Sequence, residues 1–379
     1  MIGFASIILS LIMLGTNSFA YSVLGFTKPA SITTDTNSSA VTWIGSVITS
    51  ILNWFYPVTS PIPTTQYVLP SGCMMPPDNN LLNSINKVKC GLDASDPLNN
   101  EPETQKQILA NQYWRYDGTA VPEGAPYSIH RDTSGLHIGV QAKSSGQWGG
   151  FFAVTPNTNA QLFHAVISNP VRTIPLDYYE NGLYVQTSHP FLNFVACVSI
   201  TNNLGTIWAV EHTYGNSTQA LEFKKLWVDN SARQSLTRDC TIITNGENYL
   251  KVYLDGAIVY SNSTLALGMP PPFNAYLEPE TSYAGQMLNG TYTDFYAMSD
   301  ENIKITNNPS NAVTAEIIDS SGKVLASAPV ILGKATLSIG QYHLPVNANI
   351  KVYDSNNTQI ASTPNTQTVY GGDEYYVNP

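Results

Sequence analysis

The sequence predicts an all-β protein, with a large antiparallel two-sheet sandwich over residues 111–300 and a smaller β-sandwich over 301–379. Three observations carry that prediction. Between Asn248 and Ser261, Leu250, Val252 and Leu254 alternate with Lys251, Tyr253 and Asp255, and Asp255-Gly256 separates them from a second strand-like run. Period-two alternation marks a half-buried strand, and Asp-Gly between two such runs is a strong hairpin signal. Comparable runs recur from Trp114 to Ala297 with no long helical stripe among them, and one hairpin needs a second sheet to cover its apolar face.

The third observation is a repeat. AEIIDSSGKVLASAP (315–329) aligns without a gap on IKVYDSNNTQIASTP (350–364), matching Asp319 with Asp354 and Pro329 with Pro364. Each copy reads as a hairpin whose turn needs a left-handed residue, Gly322 in one and Asn357 in the other. Two such hairpins suggest an Ig-like or prealbumin-like sandwich.

Ahead of these units, residues 1–20 read as a signal peptide, with an apolar core from Ile7 to Leu14 and a small-residue site ending at Ala20. Residues 21–110 read as a stalk. Within it Trp43, Ile44, Val47, Ile48, Ile51, Leu52 and Phe55 form one stripe of an amphipathic helix over 41–55. That helix would pack on the next domain or on a second copy of the chain. Membrane contact is the competing reading, but its polar face lacks basic residues.

Only 12% of the 379 residues are charged, and the formal net charge is −10. Phosphate binding needs clustered Lys and Arg, so nucleic acid is excluded as a partner. An exported chain can form disulfides, and the four cysteines are expected to pair with their neighbours, Cys73 with Cys90 and Cys197 with Cys240. Asn37, Asn216, Asn262, Asn289 and Asn356 head glycosylation sequons. The localisation expected is secreted or cell-surface.

YWRYDG (113–118), ENYLKVYLDGAIVY (247–260) and GTYTDFYA (290–297) together resemble the concanavalin A-like lectin/glucanase jelly roll. The resemblance spans about half the chain and implies a concave sheet face that binds or cleaves polysaccharide. Glucanases of that family carry E-x-D-x-E on one strand, and this sequence has no such string. The nearest carboxylates are Glu278 and Glu280, where the central Pro279 argues for a strand end or loop, and Glu180, which reads as a loop residue. Glu211 shares a strand face with Ile207 and Ala209 and reads as core-facing.

Aromatic rings stack on sugars, so Trp148, Tyr184, Gln186, Trp208, His212 and Tyr214 are the candidate ligand-binding set. The six histidines show no metal-ligand spacing, and no cofactor motif is present. A structural calcium ion held partly by backbone carbonyls would leave no motif. The sequence therefore favours a non-catalytic glycan-binding or adhesion protein. The alternatives are a glycoside hydrolase or polysaccharide lyase, with its carboxylates on different strands, and a structural subunit of a surface coat or filament.

Overall fold

The computed structural model describes Cys73 and residues 81–378, apart from breaks at 100–101, 111–113, 118–124, 146, 148, 171–177, 188–192, 203, 217–218, 230–235 and 341–343. The signal peptide and helix 41–55 read from the sequence lie outside the described residues. In chain order, β1 (Ser84–Lys89) and β2 (Leu92–Asp96) precede a short helix, α1 (Gln105–Ala110). Next come β3 (Arg115–Asp117), β4 (Tyr127–Asp132), β5 (Gly135–Val140), β6 (Gly149–Gly150), β7 (Phe152–Val154), β8 (Leu162–Ser168) and β9 (Tyr179–Thr187). They lead into β10 (Phe194–Asn202), β11 (Gly205–Asn216), β12 (Gln219–Val228) and β13 (Thr237–Thr244). β14 (Leu250–Leu254), β15 (Ala257–Asn262), β16 (Phe273–Thr281) and β17 (Leu288–Met298) close the sandwich. The C-terminal unit adds β18 (Asn302–Thr306), β19 (Ala312–Asp319), β20 (Val324–Pro329) and β21 (Ala335–Ser338). It ends with β22 (Val346–Asp354), β23 (Gln359–Ser362), β24 (Gln367–Val369) and β25 (Glu374–Asn378).

The central unit is a jelly-roll-type sandwich of two sheets. The front sheet runs β12-β11-β10-β9-β16-β7-β3, and the back sheet runs β15-β14-β13-β8-β17-β5-β4. Alternation turns Leu183, Val185, Val195, Trp208, Val210 and Leu277 from the front inward onto Phe163, Ile167, Ile242, Val252, Tyr292 and Ile138 from the back. Cys197 of β10 and Cys240 of β13 cross this core as a disulfide with Cα atoms 6.5 Å apart, and Cys73 pairs with Cys90. Both pairings are those expected from sequence. The 255–256 turn is also as read: Asp255 and Gly256 both have positive φ, which a two-residue hairpin of matching twist requires.

The front sheet has a second apolar layer on its outward side. Phe152, Val154, Tyr184, Phe194, Ala196, Val198, Ile200, Ala209 and Tyr276 form a separate buried cluster there. A sheet buried on both faces loses the clean apolar–polar alternation that would tell inside from outside.

In the C-terminal unit the nine paired strands follow the path β20-β19-β22-β23-β1-β25-β18-β21, with β24 on β22. The two ends of that path, β20 and β21, meet, and Ile303, Ile305, Ile317, Leu337, Ile350, Val352 and Tyr375 fill its centre. Both repeats are hairpins, as expected. Asp319 Oδ1 accepts from the backbone N–H of Ser321 and Lys323, and Asp354 Oδ1 accepts from those of Asn356 and Thr358, so the two turns are built alike. Gly322 and Asn357 hold the positive φ.

One boundary differs from the sequence reading. Residues 84–96, placed there in the stalk, are sheet: β1 pairs with β25 and β23, whereas β2 pairs with β17 of the sandwich. β1 is tied in by its ladder with β25, by Ile85 buried in the C-terminal core, and by Lys87, whose buried ammonium lies 2.7 Å from the buried Asp373 carboxylate.

Candidate functional site

The outward side of the front sheet gathers four glutamates. Glu180 lies in β9, Glu211 in β11, and Glu278 and Glu280 in β16. Glu180 is directly opposite Glu280 across the β9–β16 ladder, and Glu278 is opposite Gly182. Side chains at directly opposed positions leave the backbone about 4.5–5.5 Å apart. Residues 180, 182, 184 and 186 share this face by alternation, as do 274, 276, 278 and 280. Glu211 joins through β10, since Ala196 pairs with both Tyr184 and Glu211.

Two sequence expectations are corrected here. Glu180 is a strand residue, not a loop residue. Pro279 sits inside β16, a strand paired on both sides, because its carbonyl accepts from Phe151 N–H just where β6 and β7 are interrupted. The N–H that proline lacks would point to that same broken side, so no ladder bond to β9 is lost. Glu211 is buried on the face it shares with Ile207 and Ala209, as read from the sequence, and that face belongs to the outer apolar layer and not to the inter-sheet core.

All four carboxyl side chains are buried, with residue exposures of 0% for Glu211, 1% for Glu278, 2% for Glu280 and 3% for Glu180. Burial raises every one of their pKa values, because a charged carboxylate loses water it cannot replace. Their environments then separate them. Glu180 accepts from the hydroxyls of Tyr178 and Tyr184, the latter at 2.8 Å, and both bonds favour its charged form. Glu280 is pushed well above the usual range by burial, then by the charges of Glu180 and Glu278. Glu211 is likewise pushed well up by burial and Glu180, only partly opposed by Lys225 at 3.8 Å. Neither Glu211 oxygen has a hydrogen-bond partner. Glu280 and Glu211 are thus raised further than Glu180, whose anion two tyrosine hydroxyls support.

Gly182 makes this arrangement fit. A Cβ at that position would stand 2.6 Å from Val198 and 3.1 Å from the Tyr184 ring. The missing side chain lets Tyr184 lie back along β9 until its hydroxyl reaches Glu180. β9 thus carries Glu180, Gly182 and Tyr184 at the spacing where an E-x-D-x-E strand would carry three carboxylates, and the further glutamates come from β11 and β16.

The aromatic set does not form one surface. Trp208 belongs to the inter-sheet core, and His212 is buried on the same side, Nε2 lying 3.3 Å from the Leu267 carbonyl. Parity on β11 is the reason, since residues 208 and 212 face opposite to 211. Tyr184 and Gln186 lie on the glutamate face, Tyr214 is 44% exposed, and Trp148 lies outside the described residues. Among the sequons, Asn356 sits exposed in a turn, whereas Asn262 ends β15 and Asn289 lies within β17. Asn37 and the Asn216 side chain fall outside the description. Among the described residues no helix is long and apolar enough to cross a membrane.

These features define a two-sheet jelly-roll sandwich with a carboxyl-bearing face. Neither a family model nor a curated protein matches the chain. Among solved structures, a GH16 protein of Bacteroides ovatus, described in complex with a mixed-linkage glucan product, is 11% identical and has a TM-score of 0.40, covering 54% of this chain and 99% of its own. A Bacillus licheniformis β-glucanase is 12% identical with a TM-score of 0.38, covering 54% and 97%. LamAcat from Zobellia galactanivorans is 10% identical with a TM-score of 0.37, over the same shares. At these scores the likeness decides nothing about this chain's chemistry, and the sandwich rests on its own strand order.

Proposed function

We propose that the central sandwich is a carbohydrate-active domain of an exported protein that cleaves a glycosidic bond on its glutamate face. The observation that carries this reading is the Glu180–Glu280 pair, two opposed carboxyls whose surroundings push their protonation apart. That is the acid–base arrangement glycoside cleavage requires. Glu280 would donate its proton to the glycosidic oxygen as the C–O bond breaks, and the Glu180 carboxylate would attack the anomeric carbon. Water would then cleave the glycosyl ester, returning its proton to Glu280. Side chains that start about 4.5–5.5 Å apart suit the close pair of a retaining enzyme better than the wider inverting one. Tyr276 and Phe152 lie beside the pair as apolar ring surface.

The test is incubation of the full chain with a panel of β-glucans and host-type glycans, followed by product analysis. Turnover with retained anomeric configuration is expected, reduced at least a hundredfold in Glu180→Gln and Glu280→Gln. Turnover that survives both changes would refute the assignment. A second, non-catalytic reading rests on Gly182 and Tyr184 standing where E-x-D-x-E would place carboxylates. It expects saturable oligosaccharide binding with no products, and binding then weakened by Tyr184→Ala.

A further inference from the structure

We propose that the β4–β5 hairpin is a binding site for a divalent transition-metal ion, with His130, Asp132 and His137 as ligands. His130 and His137 are directly opposed across the hairpin, and Asp132, two residues beyond His130, shares their face. One donor atom from each residue lies within 4.8 Å of the others. The imidazoles stack nearly parallel, centroids 4.5 Å apart and planes 13° apart, so their ring edges can turn toward one point.

The surroundings orient the ligands. His137 Nδ1 lies 3.0 Å from Thr291 Oγ1 on the adjacent β17. With Nδ1–H donated to that hydroxyl, the Nε2 lone pair is free for a cation shared with Asp132 Oδ1 at 3.1 Å, the Ser134 hydroxyl lying 3.0 Å from the same nitrogen. Fixing one ring nitrogen with a hydrogen bond so that the other can ligate is the usual support of a metal-binding histidine. Asp132 Oδ1 is itself held by the backbone N–H and hydroxyl of Ser134, at 2.7 and 2.6 Å. β4 is the outermost strand of the back sheet and His130 is exposed, so water can complete the coordination sphere. A tetrahedral ion about 2.0–2.1 Å from each nitrogen needs a small rotation of the exposed His130 ring.

Two imidazole nitrogens and one carboxylate oxygen select zinc or copper(II) over calcium or magnesium, which prefer all-oxygen sites. The sequence hides the site because its ligands are spaced His-x-Asp and then five residues to the second His, and only hairpin pairing brings them together.

The experiment is calorimetric titration of the EDTA-stripped full chain with Zn²⁺ and with Cu²⁺, and electron paramagnetic resonance of the copper form. One ion per chain is expected, bound at micromolar Kd or tighter and not displaced by excess Ca²⁺, with nitrogen hyperfine structure from two imidazoles. His130→Ala, which removes one ligand and its stacking on His137, should weaken binding about tenfold or more and remove one nitrogen from the spectrum. Absence of saturable binding, or His130→Ala binding like the parent, would overturn the proposal.

Discussion

Replacing Glu211 with glutamine should make the protein more stable at neutral pH and change how its stability depends on pH. Glu211 is fully buried, neither carboxyl oxygen is hydrogen-bonded, and its folded pKa stands well above the ordinary 4.5. The sign follows from which state holds the proton. Between about 4.5 and the raised folded value, the folded chain keeps a proton that the unfolded chain releases, so stability falls as pH rises. The contribution is fully present below the unfolded value and is gone once the folded group ionises. Over that window one such group costs about 1.4 kcal/mol per pH unit. Glutamine has the same shape and does not titrate, so Glu211→Gln should lose that share of the slope while Glu280 keeps its own. Urea unfolding followed by tryptophan fluorescence from pH 4 to 8 reports the transition, because Trp114 and Trp208 are both in the sandwich core. The variant should gain on the parent by about 1.4 kcal/mol for each pH unit above 4.5 until the parent's Glu211 ionises. Parallel curves for the two proteins would refute the reasoning.

Other expectations follow from single contacts. Gly182→Ala should destabilise the sandwich by about 1–3 kcal/mol through overpacking against Val198 and the Tyr184 ring, measured by the same unfolding assay. An unchanged midpoint would mean the close approach is relieved at no cost. Removing the Cys197–Cys240 bridge by a double Ala substitution frees a cross-link of sequence separation 43 and should cost about 4 kcal/mol by loop-closure entropy. A loss below about 1 kcal/mol would argue that the two sheets are held by packing alone.

Local signals in the sequence were reliable where one residue dictates the geometry. Asp255-Gly256 formed the expected turn, and the Asp319 and Asp354 turns repeated as aligned. The disulfides joined nearest neighbours in sequence. What stayed hidden depends on long-range pairing and on which way a sheet faces. On β11, Ile207 and Ala209 are as apolar as Trp208 and Val210, so alternation alone cannot assign the core side. That ambiguity placed Trp208 in a binding set, which the structure reverses, and left open that the buried layer around Glu211 is the outer one and not the one between the sheets. Pro279 disguised β16 as a strand end, because only the interrupted neighbour, β6 and β7, shows where its missing N–H is harmless. Residues 84–89 join the C-terminal sheet through the ladder with β25, the buried Ile85 and the Lys87–Asp373 pair, all made with residues nearly three hundred positions away. No local pattern reports such a contact.

The central claim is that buried glutamates share one sheet face, with Glu280 and Glu211 held further above the ordinary glutamate pKa than Glu180. Carbon-13 NMR titration of glutamate-labelled protein, assigned by Glu180→Gln, Glu211→Gln and Glu280→Gln, measures it directly. The account predicts that the Glu280 and Glu211 carboxyls titrate well above ordinary glutamate, and that Glu180 ionises before either of them. It also predicts that Glu180→Gln lowers the Glu280 midpoint by removing the neighbouring charge. Ordinary midpoints near 4.5 for Glu280 and Glu211, or a Glu280 midpoint indifferent to Glu180→Gln, would contradict it.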